Sequence, residues 1–310
     1  MHALSINNLT KTYANGVVAL KGIDFKVEDG DFYALLGPNG AGKTTAIGIV
    51  ASLVNKSAGE VKIFGHSIDN ELEAAKSCIG LVPQEINLNL FDTVLNTVVN
   101  SAGYYGIDRR PALLRAEKYL SELRLWDRRF ETTRNLSGGM KRRLMIARAL
   151  VHEPRLLILD EPSAGVDIEI RRSMWEFLRR TNDDGTTIIL TTHYLEEAES
   201  LCRNVAIIDD GRIVEDARMS TILRKLKGEV FVLSLEKQLT DASELQGFDV
   251  TLRDDCELEV TIGDGSNLND LFQLLNARGI AVSSLRNKTN RLEELFMRHV
   301  ESKQRDSAAG

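Results

Sequence analysis

Apolar residues follow two rhythms along this chain. Through the first third, short apolar runs alternate with turn signals, and Ser5–Leu9, Val17–Leu20, Ile23–Val27 and Phe32–Leu36 are predicted as strands. Asp29-Gly30 predicts a hairpin turn between the last two. A glycine-rich loop follows at once, and small and apolar residues from Lys43 to Leu53 predict a helix. Val61–Phe64 and Ile79–Val82 read as further strands. The character then changes. Between residues 92 and 135, Asn96–Tyr105 and Pro111–Leu123 carry apolar residues at helical spacing, with no strand candidate among them, the pattern of a helical insertion. Alternation resumes with a helix over Gly138–Val151 and the apolar strand Leu156–Leu159. Next come helix Ile168–Arg180, strand Thr187–Leu190, helix Leu195–Leu201 and strand Val205–Ile208, the order of a parallel sheet flanked by helices.

A separate unit is predicted from Gly228. Val230–Leu235 and Leu258–Ile262 read as its strands, Leu268–Ala277 and Leu292–Val300 as its helices, and Asp241–Asp255 gives no clear pattern. The expected division is 1–227, 228–302 and a frayed polar tail, 303–310. A length of 310 residues fits two domains at roughly 150 residues each. The formal charge of −6 argues against a nucleic-acid partner, because the acidic excess is shared by both parts and neither is basic. Three scattered cysteines, Cys78, Cys202 and Cys256, offer no CxxC pair for zinc and no disulfide framework. The start, MHALSINNLTKTY, lacks the apolar stretch of a signal peptide, and about 18 apolar residues never run together. A cytosolic location is expected.

Chemistry concentrates in three places. Gly37-Pro38-Asn39-Gly40-Ala41-Gly42-Lys43-Thr44 matches G-x-x-x-x-G-K-[ST], between an apolar strand and a helix as that motif requires. Glycines let backbone N–H groups turn toward phosphate oxygens at the positive end of a helix. Lys43 is placed to reach β- and γ-phosphates, and the Thr44 hydroxyl to ligate Mg²⁺. The strand Leu156–Leu159 runs into Asp160-Glu161, and carboxylates at a strand's C-terminal end sit where open α/β sheets bind ligands. Asp160 can hold Mg²⁺, and Glu161 can polarise an attacking water. In Leu136-Ser137-Gly138-Gly139-Met140, the serine can cap a helix and the glycines leave amides open to an anion; the basic triplet behind it, Lys141–Arg143, reads equally as a solvated face.

The loop GPNGAGKTT ending at Thr45, LSGGM, LLILDEP, SAGVD and the TTH of 191–193 occur in that order, and together they resemble the ATP-binding subunits of ABC transporters. Residues 1–220 carry the likeness, which lies nearest to type-two exporters; LSGGM stands where LSGGQ is commoner. The resemblance implies an α/β fold: a P-loop ABC ATPase domain with a mixed sheet core, an antiparallel β subdomain and a helical insertion, followed here by a small α+β domain. It implies that Tyr13 stacks on adenine and that the loop through Thr45 contacts ATP. Gln84 would reach Mg²⁺ and the attacking water, Asp167 the opposite subunit, and His193 the γ-phosphate. Ser137, Gly138 and Gly139 would serve the nucleotide of a second copy, so that each ATP lies between two chains. The activity implied is Mg²⁺-dependent ATP hydrolysis coupled to a separate membrane-spanning permease, with the subunit peripheral on the membrane's inner face. A soluble ABC ATPase uncoupled from transport, or an adaptor that binds ATP without turnover, are the alternatives. For the C-terminal extension, a self-contained appendage and a clamp between two copies both remain open.

Overall fold

The computed structural model describes residues 1–192, 194–225, 229–239, 245, 248–262 and 267–287. Their elements begin with two long antiparallel strands, β1 (His2–Thr12) and β2 (Val18–Glu28), each interrupted by register shifts. Val17–Leu20 and Ile23–Val27, predicted as two strands, are therefore one. β3 (Phe32–Leu36) is buried at every position and leads through the glycine loop into α1 (Lys43–Val50). Then follow β4 (Ala58–Ile63), β5 (His66–Ser67), α2 (Leu72–Ser77), β6 (Ile79–Val82), α3 (Val94–Tyr104), α4 (Arg109–Glu122) and α5 (Gly138–Leu150). β7 (Leu156–Asp160), α6 (Ile168–Asp183), β8 (Thr187–Thr191), α7 (Leu195–Leu201), β9 (Asn204–Asp209), β10 (Arg212–Arg218) and α8 (Met219–Lys225) complete the first stretch.

Two sheets result. One is antiparallel, ordered β2-β1-β4-β5; the other is six-stranded, ordered β10-β9-β3-β8-β7-β6, and parallel except where β10 meets β9. β3, β7 and β8 are apolar on both faces because they lie inside the parallel sheet, whereas edge strand β10 alternates exposed and half-buried residues. One apolar cluster joins both sheets to α1, with Leu4, Ile6 and Phe25 on one side and Leu35, Ile158 and Ile189 on the other.

The turn at Asp29-Gly30 is not a hairpin. β2 and β3 belong to different sheets, so Gly30, at φ 75°, turns a corner between them. The corner is tied to β8, the strand beside β3, by Gly30 N donating to Thr187 Oγ1 at 2.9 Å. A doubly apolar strand has more to gain inside the parallel sheet than at the rim of the antiparallel one, and that burial overrides the local turn signal.

The described residues divide into two compact units between Met219 and Ser220. In the second, β11 (Glu229–Leu235), β12 (Asp249–Asp254), β13 (Glu257–Ile262) and β14 (Val282–Asn287) form an antiparallel sheet ordered β12-β13-β11-β14, with α9 (Leu268–Ala277) linking β13 to β14. Two parallel strands joined through a helix, with an antiparallel strand between them, make a split β-α-β arrangement. Leu271 and Leu275 of α9 are buried with Leu233, Leu258 and Val260 of this sheet. The predicted helix Leu292–Val300 and the tail lie outside the described residues.

Candidate active site

Two glycines of the loop, Gly37 and Gly42, are crowded by their neighbours. A β-carbon on Gly37 would sit 2.2 Å from the Ile208 carbonyl oxygen of β9, a backbone atom that has nowhere to go. Gly42 caps α1 at φ 112°, where side chains are strained, and offers no side-chain bond to the first-turn amides, which leaves them for an anion. Lys43 folds back over the loop: its Nζ donates to the carbonyl oxygens of Gly37 at 2.6 Å and Pro38 at 3.0 Å. Only 7% of this lysine is exposed. Burial pushes its ammonium below the usual lysine range, and the carboxylates of Glu161 and Asp160 pull it back up. Thr44 is exposed at the helix start. Tyr13 is 37% exposed, and its hydroxyl lies 3.2 Å from Thr45 Oγ1, so a ring face stands beside the loop.

The carboxylates enter from β7. Asp160, 4% exposed, accepts a short hydrogen bond from the Thr191 hydroxyl at the end of β8. Burial raises its carboxyl above the usual range; the Thr191 bond opposes that shift, and the Glu161 charge adds to it. Glu161 follows at φ 50°, with its N–H donating to the Thr191 carbonyl at 3.0 Å. Side chains alternate faces along a strand; this left-handed residue breaks the alternation. Gln84, two residues past β6, donates from Nε2 to Glu161 Oε2 at 3.1 Å. Lys43, Gln84, Asp160 and Glu161 thus gather at the carboxyl ends of β3, β6 and β7, the ligand-binding edge of an α/β sheet.

Other predicted residues stand apart. Ser137 caps α5, accepting from Met140 N at 3.3 Å, and α5 packs on β6 and against α3 and α4. Gly138 has open space around it, and Gly139 faces Ile170. α1 follows β3, whereas α5 packs on β6, three strand spacings or about 14 Å away in the sheet order. Asp167 is exposed at the start of α6. His193 lies outside the described residues.

Two residues escaped the sequence reading. Arg142, taken with its neighbours as a solvated face, is 5% exposed and donates to the Pro83 carbonyl at 2.8 Å and the Gln84 carbonyl at 2.7 Å. Glu197 on α7 is wholly buried. Its carboxylate accepts from Ser163 Oγ and Trp175 Nε1, each at 2.9 Å, and from the Thr192 side chain. Burial raises its carboxyl, against the opposing effect of those bonds. Neither carries a local signal, since every partner but Thr192 is distant in sequence.

A glycine loop folded under a buried lysine, facing two carboxylates at the next strand end but one, defines a P-loop nucleoside triphosphatase. The family model described as ABC transporter matches residues 20–164. The chain is 34% identical over 307 residues to the linearmycin resistance ATP-binding protein LnrL of Bacillus subtilis (strain 168), covering 95% of this chain and 97% of the relative. It is 39% identical to the Nod factor export ATP-binding protein I of Cupriavidus metallidurans, over 69% of this chain and 71% of that one. Among solved structures it resembles a dimeric ATP-binding cassette in a post-hydrolysis state with ADP and phosphate, at TM-score 0.64 and 27% identity, over 70% of this chain and 98% of that one. The chain belongs to the ATP-binding proteins of ABC transporters, and it is an ATPase. Among the described residues no helix is long and apolar enough to cross a membrane.

Proposed function

We propose that two copies of this chain sandwich ATP and power export through a separate membrane-spanning permease, with the subunit held at the cytoplasmic face. The observation that carries the reading is the convergence of Lys43, Gln84, Asp160 and Glu161 in one crevice while Ser137 caps a separate helix, α5. Phosphate contacts offered by Lys43 and the first-turn amides of α1 are complemented by Ser137, Gly138 and Gly139 of the second copy. Asp167 faces that copy, and His193 steadies the γ-phosphate.

The donor set suits Mg²⁺: Thr44 hydroxyl, Asp160 carboxylate and Gln84 amide oxygen are hard oxygens, few in number, for an ion that keeps several waters. Bound there, the ion supplies charge neutralisation between the β- and γ-phosphates. Glu161 orients the attacking water and takes its proton, and Gln84, already bonded to Glu161, completes that water's shell. Tyr13 supplies the stacking face for adenine.

Export is supported by what the relatives are named for, a linearmycin-resistance and a Nod-factor export protein. The permease has a place to dock. An open groove between the core and the helical insertion is lined by Leu53, Glu73, Lys76, Tyr104, Tyr105 and Arg148, with Tyr104 89% exposed. A short segment of the membrane partner fits it, because the groove also touches Leu81 of β6, the strand that leads to Gln84.

The test is Glu161→Gln. It should bind ATP, lose turnover and accumulate as a dimer at saturating Mg-ATP; a monomer on size exclusion, or normal turnover, overturns the sandwich. Co-purification from detergent-solubilised membranes tests the coupling, and the double substitution Leu53→Asp, Tyr104→Asp should abolish it. Absence of any membrane-protein companion to the unmutated subunit favours a soluble ATPase instead.

A further inference from the structure

Arg142 uses both terminal nitrogens of its guanidinium on consecutive backbone carbonyls, Pro83 at 2.8 Å and Gln84 at 2.7 Å. These carbonyls, of half-buried Pro83 and exposed Gln84, follow the last strand residue of β6, where the sheet ladder no longer supplies donors. The fork geometry is particular to arginine: a lysine ammonium is a point donor and cannot hold two carbonyls in fixed orientation as well. Burying a full positive charge is expensive without compensation. Here the charge faces the carbonyl oxygens and lies within the field of Asp160 and Glu161.

We infer that Arg142 is a positioning residue that locks the Gln84 backbone so that the Gln84 amide stays on Glu161, and that ties this loop to helix α5. The inference rests on the reading of Gln84 and Glu161 as hydrolysis residues. Its geometry forms an unbroken chain: Glu161 Oε2, Gln84 Nε2, the Gln84 carbonyl, the Arg142 guanidinium, and the α5 backbone that begins at the Ser137 cap. Arg142 lies five residue steps along the helix from Ser137, about 7.5 Å of rigid rod at about 1.5 Å per step. A displacement of the Gln84 loop is therefore felt at the start of α5, the end that would serve the second nucleotide. One side chain connects the water-orienting groups of one site with the phosphate-binding amides of the other.

The experiment is a double-mutant cycle in the full chain, using Arg142→Met, which keeps bulk and removes all donors, and Gln84→Ala. Three readouts are taken: turnover at saturating Mg-ATP, affinity for a fluorescent ATP analogue, and amide hydrogen exchange of residues 80–82, the end of β6 that leads into the loop, without nucleotide. Each single substitution should lower turnover about tenfold or more, as loss of an oriented proton-transfer group does. Nucleotide affinity of Arg142→Met should stay within about twofold, and exchange of residues 80–82 should accelerate, because the strand end frays once the loop beyond it is released. In the Gln84→Ala background Arg142→Met should lower turnover by less than about twofold more, since a positioner has nothing left to position. Arg142→Lys should recover part of the loss. Losses that multiply in the double variant, or unchanged exchange and turnover in Arg142→Met while Gln84→Ala is slow, overturn the inference. Normal turnover of Gln84→Ala overturns the role of Gln84 itself, and the exchange measurement then decides alone whether Arg142 holds the loop. Should Arg142→Met fail to bind the analogue, the same cycle is run with Arg142→Lys, where intermediate turnover and loss of additivity are expected and full additivity refutes the role.

Discussion

Replacing Glu197 by alanine strips the acceptor from three side chains at once: Ser163, Trp175 and Thr192. A buried donor left without its partner costs about 1–3 kcal/mol. The two hydroxyls can turn to other acceptors, but the indole N–H is donor-only and fixed by its ring. Removing the carboxylate also relieves its own burial, which already holds its carboxyl above the usual range. Taking the indole at full cost and the hydroxyls at part, the net loss is about 2–4 kcal/mol. For a unit of roughly 220 residues that is a drop in Tm of about 5–15 °C. Glu197→Gln should cost about 1 kcal/mol or less, since its oxygen can face Trp175 Nε1 and its amide can donate to Ser163 Oγ. Urea unfolding followed by intrinsic fluorescence reads this well, because Trp126 and Trp175 both lie in the first unit. The pH dependence has a sign. A carboxyl raised on folding contributes most below the ordinary carboxylate range, and that contribution is lost as pH rises through the raised value. Glu197→Gln should therefore gain on the wild type as pH rises from 4 to 8. An alanine variant within about 0.5 kcal/mol of wild type, a shift typical of innocuous surface changes, refutes the buried network. So does a glutamine variant that loses ground with rising pH.

Lys43→Ala should abolish turnover and weaken ATP binding by at least about a hundredfold, because a charge-assisted contact to phosphate is lost; isothermal titration measures it. Asp160→Asn should end turnover yet gain stability on the wild type as pH rises from 4 to 8, because a carboxyl raised on folding contributes below the ordinary aspartate range and loses that contribution as pH rises; thermal melts at pH 4 and 8 check the sign. Ser137→Arg should leave ATP binding by one chain unchanged and silence the pair, and mixing it with Lys43→Ala chains should restore some turnover from the composite site free of both lesions. No recovery at any mixing ratio counts against shared sites.

The parts of this fold that show in the sequence are those set by local pattern. Helix α9 and strand β3 have the bounds their apolar runs imply, and the loop at Gly37–Lys43 announces itself because its chemistry is contiguous. Asp29-Gly30 misled because a turn's residues specify that the chain reverses, not which sheet it enters. β12 and β14 were hidden by exposure: Asp249–Asp254 and Val282–Asn287 are edge strands with many polar residues, so no apolar stripe marks them. Arg142 and Glu197 were unreadable for a different reason. Their partners are 59, 58, 34 and 22 residues away, and only the packed sheet brings them together.

On the role proposed for Glu161, its left-handed backbone places stability and activity in opposition at a single torsion. A β-carbon at φ 50° is strained by about 1–2 kcal/mol, and glycine relieves it. Were folding the only requirement, drift at this position would run toward glycine or asparagine, residues at ease in that conformation. Neither carries a carboxylate to the water that must be activated. A lineage that no longer needs turnover is thus free to exchange Glu161 for a residue that makes the subunit sturdier, and selection for thermal resistance alone would erode the enzyme first at the site where its chemistry is done.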